Sequence, residues 1–509
     1  MRRSRPLTAL WLAAAIALAT SCGKEAEIAD LNLVLIPVVE PDPFGASEPL
    51  FKVASLELRG QVGAQVLFRS TVDYHQGGEL SLPELTIEDD GLKFPADNVI
   101  VYLSGFSTEG GLVAQGSAGP LRLAAGAPAT ASLIFARADS CSRLAATLNQ
   151  ARWGHTATRL SDGRVLVVGG AGAAVDGAPD GALDSFEIFD PDERGFAITE
   201  GAAQAARVFH TATPVSGGVL IAGGLDASGE PLGTAVLFDE QSGTFGGEIS
   251  IAPRAAHAAA AQGGDVLVAG GVADGPAGLG AIPGFVQVPG DLGAVASVEL
   301  IQVGGQTSVA LNDLPGGARA FPVAATLGDG SAVVAGGIGA SGVSVALDHY
   351  PKSDEPAALE DLTAARFGGA ALTLQGNVLV AGGVGADGAG VASATLVLSD
   401  GPTVTPAPEM KQGRAGFGIA PVSASSAVVL AGITESEPAV RFAVSAERYS
   451  ASAGFTTSGS LRHPRIHAAV AQLLDGAVLA IGGLTPDGSP GSVPALDSVE
   501  VYRAGQELP

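Results

Sequence analysis

The chain has 509 residues, 47% of them hydrophobic and only 16% charged, with a mean hydropathy of +0.34. That composition excludes a disordered chain and leaves room for two or three domains, each with its own core. The 27 basic residues face 52 acidic ones, a net charge of −25. Such a surface repels phosphate backbones and anionic lipid, which excludes nucleic acid as a partner and a basic patch as a membrane anchor.

The first 22 residues read as an address. Arg2, Arg3 and Arg5 precede an apolar run, Leu7 to Leu18, and then Ala19-Thr20-Ser21-Cys22. The run is too short to span a bilayer as a helix and ends in small residues, as a secretory signal does. Small residues directly before a cysteine resemble the bacterial lipoprotein signal, although Ala19 stands where Leu is usual. The resemblance implies that Cys22 is lipidated and becomes the mature N-terminus. By the same resemblance, Gly23 after it favours the outer membrane. Several acyl chains, at roughly 0.8 kcal/mol per buried methylene, would anchor firmly. An ordinary cleaved signal with an incidental cysteine is the alternative. With Cys22 lipidated, Cys141 has no disulfide partner and is expected to be a buried apolar filler.

Residues 23–30 read as a tether and residues 31–137 as a small β-sandwich, loosely immunoglobulin-like or prealbumin-like. The strand-like runs are Leu31–Val39, Phe51–Leu58, Gln65–Tyr74, Leu80–Ile87, Val99–Leu103, Gly111–Gln115 and Thr130–Phe135. Turn signals such as Gln76-Gly-Gly78 and Asp89-Asp-Gly91 separate them. A spacer lifting the next domain off the membrane is the expected role.

Residues 138–509 repeat. Arg152 opens a stretch RWGHTATRLSDGRVLVVGG, and equivalent arginines follow at Arg207, Arg254, Arg319, Arg366, Arg414 and Arg465. By subtraction the spacings are 55, 47, 65, 47, 48 and 51 residues. Each unit continues with a tight-turn signal such as Asp162-Gly163, an apolar run such as Val165–Val168, a glycine pair such as Gly169-Gly170, and a third element such as Glu187-Ile-Phe-Asp190. In the sixth unit the pair is Ala431-Gly432. The turn residues supply the positive φ of a hairpin. The unbroken apolar runs predict strands covered on both faces.

This pattern resembles the kelch repeat, one four-stranded propeller blade per unit. The resemblance implies an all-β fold, a seven-bladed kelch-type β-propeller preceded by the sandwich. Kelch blades often carry an outer-strand Trp; here Phe196, Phe245 and Phe455 would take that place in three blades. Only RAGQELP follows Tyr502, too little for an outer strand. The segment Cys141–Asn149 is therefore expected to complete the seventh blade and close the ring.

Antiparallel alternation puts the long second-to-third-strand loops on one face and the tight turns on the other. The loop face is the candidate binding face. Its longest loop contains Ile282-Pro-Gly-Phe285-Val-Gln-Val288, with Phe285 placed to rim the channel mouth. Arg152, Arg207, Arg254, Arg319, Arg366, Arg414 and Arg465 form a candidate cationic ring for an acidic ligand. The competing reading pairs each with an acidic third-strand residue, such as Glu187, Glu299, Glu447 or Glu500. His155, His210 and His257 recur at one repeat position, which spreads them around a ring instead of on one metal. No metal site and no cofactor are expected.

Some kelch-like propellers are enzymes, and galactose oxidase needs two Tyr and two His on copper plus a Tyr–Cys crosslink. Tyr350, Tyr449, Tyr502 and Cys141 form no matching constellation in the sequence, and sialidase-type boxes are absent. The expectation is therefore a lipid-anchored, non-catalytic binding or scaffold protein at the outer membrane, recognising a protein or glycan. A carbohydrate-active or oxidative enzyme is the alternative.

Overall fold

The computed structural model describes residues 11–18, 27–36, 38–39, 53–63, 65–74, 85–87, 95–124, 127–175, 178–193, 195–199, 205–274, 293–352, 355–435, 441–485 and 492–505. Among them there are strands and turns but no helix. Cys22 and Phe285 lie outside the described residues, as do the turn signals near positions 76–78 and 89–91.

Two sheets come first. One orders Leu85–Ile87, Trp11–Leu18, Glu27–Ile36 and Ala129–Ile134; the other orders Ala136–Arg137, Leu112–Leu123, Ala96–Phe106, Ser55–Val62 and Gln65–Asp73. They share one core, with Leu31, Leu33 and Leu133 from the first meeting Leu56, Val101 and Leu103 from the second. Alternation makes this possible, because every second residue of a strand faces inward.

Three details differ from expectation. The apolar run read as a secretion signal forms a strand here, Trp11–Leu18, antiparallel to Glu27–Ile36 and parallel to Leu85–Ile87. The strand expected to begin at Leu31 begins at Glu27, inside the expected tether. It also ends at Ile36, before Pro37, which has no N–H to give a ladder. Beyond the proline, Val38–Val39 leaves for another sheet and pairs with Arg143 and Leu144.

The repeats form seven sheets of like topology among the described residues. The first orders Thr156–Arg159, Val165–Val168, Phe186–Asp190 and Gly195–Thr199, every neighbour antiparallel. Innermost strands touch around a closed circle: Thr156–Arg159 lies beside Thr211–Val215 on one side and Ala469–Gln472 on the other. In the last sheet Ser140–Thr147 pairs with Ser498–Arg503, Cys141 opposite Tyr502, so a segment preceding the first repeat completes the seventh. This is the closure expected from the short tail.

Burial explains the unbroken apolar runs. Val165, Leu166, Val167 and Val168 are all buried. Val165 and Val167 pack against Leu479, Ile481 and Val501 of the seventh sheet. Leu166 and Val168 pack against Val219, Ile221 and Phe238 of the second. Alternate residues of one strand thus serve two neighbours, each contributing about 1.5–3 kcal/mol when fully buried. On the outer rim, cross-strand aromatic pairs Phe189–Phe196, Phe238–Phe245 and Tyr449–Phe455 have centroids 5.0, 5.3 and 4.9 Å apart. They fill the place expected of the missing Trp.

Candidate functional site

The arginines turn inward. Arg152 Nη1 donates to Gly169 O at 2.8 Å, and Nη2 donates to Ser185 Oγ at 3.2 Å and to Glu187 Oε1 at 2.8 Å. Arg254 meets Glu299 at 2.8 Å, Arg319 meets Asp348 at 2.5 Å, Arg414 meets Glu447 at 2.5 Å and Arg465 meets Glu500 at 2.8 Å. Each carboxylate is on the third strand of the arginine's own sheet. It also accepts from the backbone leading into that sheet; Glu187, for example, takes Asn149 N at 2.8 Å and Gln150 N at 3.1 Å. Arg207 and Arg366 have no carboxylate at ion-pair distance, although the charge of Glu248 across the sheet raises Arg207 against the lowering by burial. Burial pulls both down to about 10, which still leaves them cationic at neutral pH.

All seven arginines are at most 1% exposed. A cationic ring open to an acidic ligand does not match this placement, whereas the carboxylate pairing is what five of the sheets contain.

The glycine pairs explain why the arginine and the double glycine recur together. Gly170 N donates to Arg207 O at 2.9 Å, and Gly483 N donates to Arg152 O at 2.9 Å, so the contact runs from sheet to sheet and across the closure. Both glycines have positive φ. A Cβ on Gly169 would stand 2.4 Å from Arg207 O. Glycine takes this close approach and positive φ without strain; in the sixth sheet Ala431 holds the place at a φ of 71°.

The residue after next from each arginine was not singled out by the sequence. Gly154, Phe209, Ala256, Phe321, Gly368, Gly416 and His467 all have φ between 49° and 62°. Backbone bonds link neighbours, among them Phe209 N to Gly154 O at 3.1 Å and Phe321 N to Ala256 O at 2.8 Å. Four residue types share the position, so no common letter marks it; the common feature is the left-handed backbone. Phe209 and Phe321 have ring centroids 6.3 Å apart, and Trp153 lies 5.5 Å from Phe209 and 5.8 Å from His467. With Leu225, Ile338 and Leu484 these aromatics form an apolar floor at the arginine end of the ring.

Above this floor stand the loop hairpins. Ala171–Val175 pairs with Ala178–Ala182 and with Ser492–Pro494 of the seventh unit's loop. Further hairpins join Ile338–Gly339 to Gly342–Val343 and Ile433–Glu435 to Arg441–Phe442. The opposite, tight-turn face is partly covered by the N-terminal sheets. Ser117 Oγ donates to Asp475 O at 3.2 Å and Arg503 Nη2 to Ile134 O at 3.1 Å. A cleft of about 380 Å³ remains between them, lined by Ser117, Thr130, Asp162, Arg164, Asp190 and Asp475 among others.

The histidines are structural in their surroundings. His210 Nε2 bonds Thr156 Oγ1 and His257 Nε2 bonds Thr211 Oγ1, both at 2.9 Å and both from one sheet to the one before. Burial, aided by the neighbouring arginine charge, lowers His155 and His257 to about 3 and His210 well below the usual value.

No protein-family model and no curated protein matches this chain. Solved structures do. A fungal alcohol oxidase of the AA5 family, in complex with copper, is similar at 13% identity and TM-score 0.53, over 70% of this chain and 75% of that one. YjhT is similar at 16% identity and TM-score 0.40, over 63% of this chain and 99% of that one. The fold is kelch-like and propeller-type.

That finding corrects one expectation. The sequence argued against an enzyme because no catalytic constellation was legible, but this fold carries a copper-bound oxidase, so the absence of a legible motif does not argue against catalysis. The likeness is one of fold. Among the described residues no group of three or more His, Cys, Asp or Glu could hold a metal ion. Tyr350 Oη donates to Asn312 O at 3.0 Å, and Tyr502 Oη bonds Ser458 Oγ at 2.6 Å, each reaching from its own sheet to the outer-strand region of the preceding one. Cys141 is buried, and burial pushes its thiol up. These residues do not fit a copper centre.

Proposed function

We propose that this chain is an envelope protein held to the outer membrane by lipid on Cys22. Residues 31–137 act as a membrane-proximal β-sandwich, and residues 138–509 form a seven-bladed kelch-type propeller whose loop face recognises a protein or glycan. The observation that carries the reading is polarity. The N-terminal sheets pack under the tight-turn face of the first and seventh repeat sheets. The loop hairpins therefore stand on the side away from the end that bears Cys22, supported by a floor that binding need not deform.

The test uses the soluble chain beginning at Gly23 on a glycan array and in crosslinking to envelope fractions. A second form carries tight turns in place of residues 171–184 and 433–443. Binding lost in that form supports the loop face; equal binding by both forms refutes it. Cys22→Ser should move the full chain from the membrane to the soluble fraction, and retention in the membrane would sink the anchor. Elemental analysis of the purified chain separates recognition from oxidation: a stoichiometric transition metal would shift the reading to the oxidase alternative.

A further inference from the structure

The second repeat sheet departs from its siblings at one place. In five sheets Nη2 of the entry arginine donates to a third-strand carboxylate at 2.5–2.8 Å. Two residues earlier on that strand, Ser185, Ser297, Ser445 and Ser498 offer Oγ to the same nitrogen at 3.1–3.2 Å. In the second sheet these positions hold Val236 and Thr234.

Arg207 is 0% exposed there, and its Nη1 reaches Gly223 O at 2.9 Å. Its Nη2 and Nε have no partner, and neither does the buried Thr234 Oγ1. Nε is unpartnered in Arg319 and Arg465 as well, and so is Nη1 of Arg319, whose Nη2 nevertheless meets Asp348. It is Nη2, together with the hydroxyl, that sets this sheet apart. The fifth sheet also lacks a carboxylate, with Thr395 in its place, but Arg366 Nη2 meets Ser393 Oγ at 2.6 Å and Nε meets Ala364 O at 3.1 Å. The second sheet alone leaves a buried cation beside an idle hydroxyl. Burying a charge and donors without partners is costly, so such a place favours an occupant.

We propose that the second sheet binds a monovalent, halide-sized anion between Arg207 Nη2 and Thr234 Oγ1. A valine side chain ends where a glutamate's carboxylate group begins, so what the second sheet lacks beside Arg207 is the one carboxylate that the siblings place there. One guanidinium calls for one negative charge. Every neighbouring donor is an N–H or O–H, which an anion accepts from and a metal cation does not. The acidic group nearest in the sheet is Glu248, the cross-strand partner of Val236. Its side chain is exposed, on the fourth strand.

Thermal unfolding of the full chain in sodium chloride, bromide and gluconate at equal ionic strength tests this. The midpoint should rise and saturate with chloride and bromide but not with gluconate. Val236→Glu, which restores the sibling carboxylate, should remove the halide dependence and raise the midpoint in gluconate. If that variant fails to fold, Thr234→Val should weaken the dependence instead. In bromide-grown crystals an anomalous peak is expected within hydrogen-bond distance of Arg207 Nη2 and Thr234 Oγ1. Equal midpoints in all three salts, or a seat filled by water or by the Glu248 carboxylate, would overturn the proposal. Glu248→Gln makes the last distinction: a true Glu248 partner predicts a lower midpoint in every salt, whereas the anion seat predicts an unchanged halide effect.

Discussion

Replacing Glu187 by alanine should open the ring at its closure. The carboxylate is fully buried and accepts from Arg152 Nη2 at 2.8 Å, Asn149 N at 2.8 Å, Asn149 Nδ2 at 3.0 Å and Gln150 N at 3.1 Å. Its loss leaves the Arg152 guanidinium as an uncompensated buried charge, about 3–5 kcal/mol. It also strands two backbone donors, each about 1–3 kcal/mol. The contributions overlap, because the same water or side-chain movement relieves several of them, so a net loss of about 5 kcal/mol is expected. That is a large part of the about 5–15 kcal/mol that holds a typical domain folded. Asn149 and Gln150 follow directly on the strand Ser140–Thr147 that completes the seventh sheet. Damage should therefore concentrate at the junction of the first and seventh sheets. The assay is urea unfolding followed by Trp153 fluorescence, with hydrogen exchange read on residues 140–147. Glu187→Leu combined with Arg152→Met should recover only the part due to the orphaned charge, because the Asn149 and Gln150 N–H groups still lack their acceptor. A single-variant loss below about 1 kcal/mol, or unchanged exchange in the closing strand, would refute the argument.

Three further outcomes follow from the same geometry. His155, His210 and His257 are held neutral well below the unfolded value of 6.5. The unfolded chain therefore takes up protons that the folded chain refuses. Stability is full above the unfolded value and falls as pH drops below about 6.5 toward the folded values near 3, by up to ~1.4 kcal/mol per pH unit for each histidine; His210→Gln should flatten that slope, and an unchanged slope refutes the assignment. Gly482→Ala places a Cβ 2.5 Å from Arg152 O at a φ of +59°; it should lower the unfolding midpoint by an amount equivalent to about 1–3 kcal/mol, measured beside Gly217→Ala, whose added Cβ meets nothing within 4 Å. The Cys141 thiol is fully buried and raised by burial, so a thiol reagent should label it only after unfolding; rapid labelling of the native chain would contradict the closing strand.

Much of the fold was legible because its cues are local. A glycine pair in six of the seven units, a tight turn that is Asp-Gly in three of them, and an apolar run follow the arginines, and the spacing of the arginines marks the units. In the first two sheets single strands were legible, since the expected strands at Gln65–Tyr74 and Thr130–Phe135 lie within a residue of those observed, whereas Trp11–Leu18 was not read as a strand. The crossing of Val38–Val39 to the seventh sheet was not legible, since two residues carry no period and their partners Arg143 and Leu144 lie about a hundred positions on.

The candidate site divides in the same way. The sequence marked the seven arginines but left open whether they face a ligand or a carboxylate. That depended on third-strand residues such as Glu187 and Asp348, which come alongside only when the sheet forms. The central positions Gly154, Phe209, Ala256, Phe321, Gly368, Gly416 and His467 share a backbone angle and no residue type, so only the folded chain identifies them. Val236 in place of a glutamate could be read from the repeat alignment; that Arg207 and Thr234 remain without partners could not. Period, turn chemistry and apolar runs act over a few residues and are written directly in the sequence. Charge pairing and polar satisfaction depend on which strands meet, and burial in the closed ring decides them.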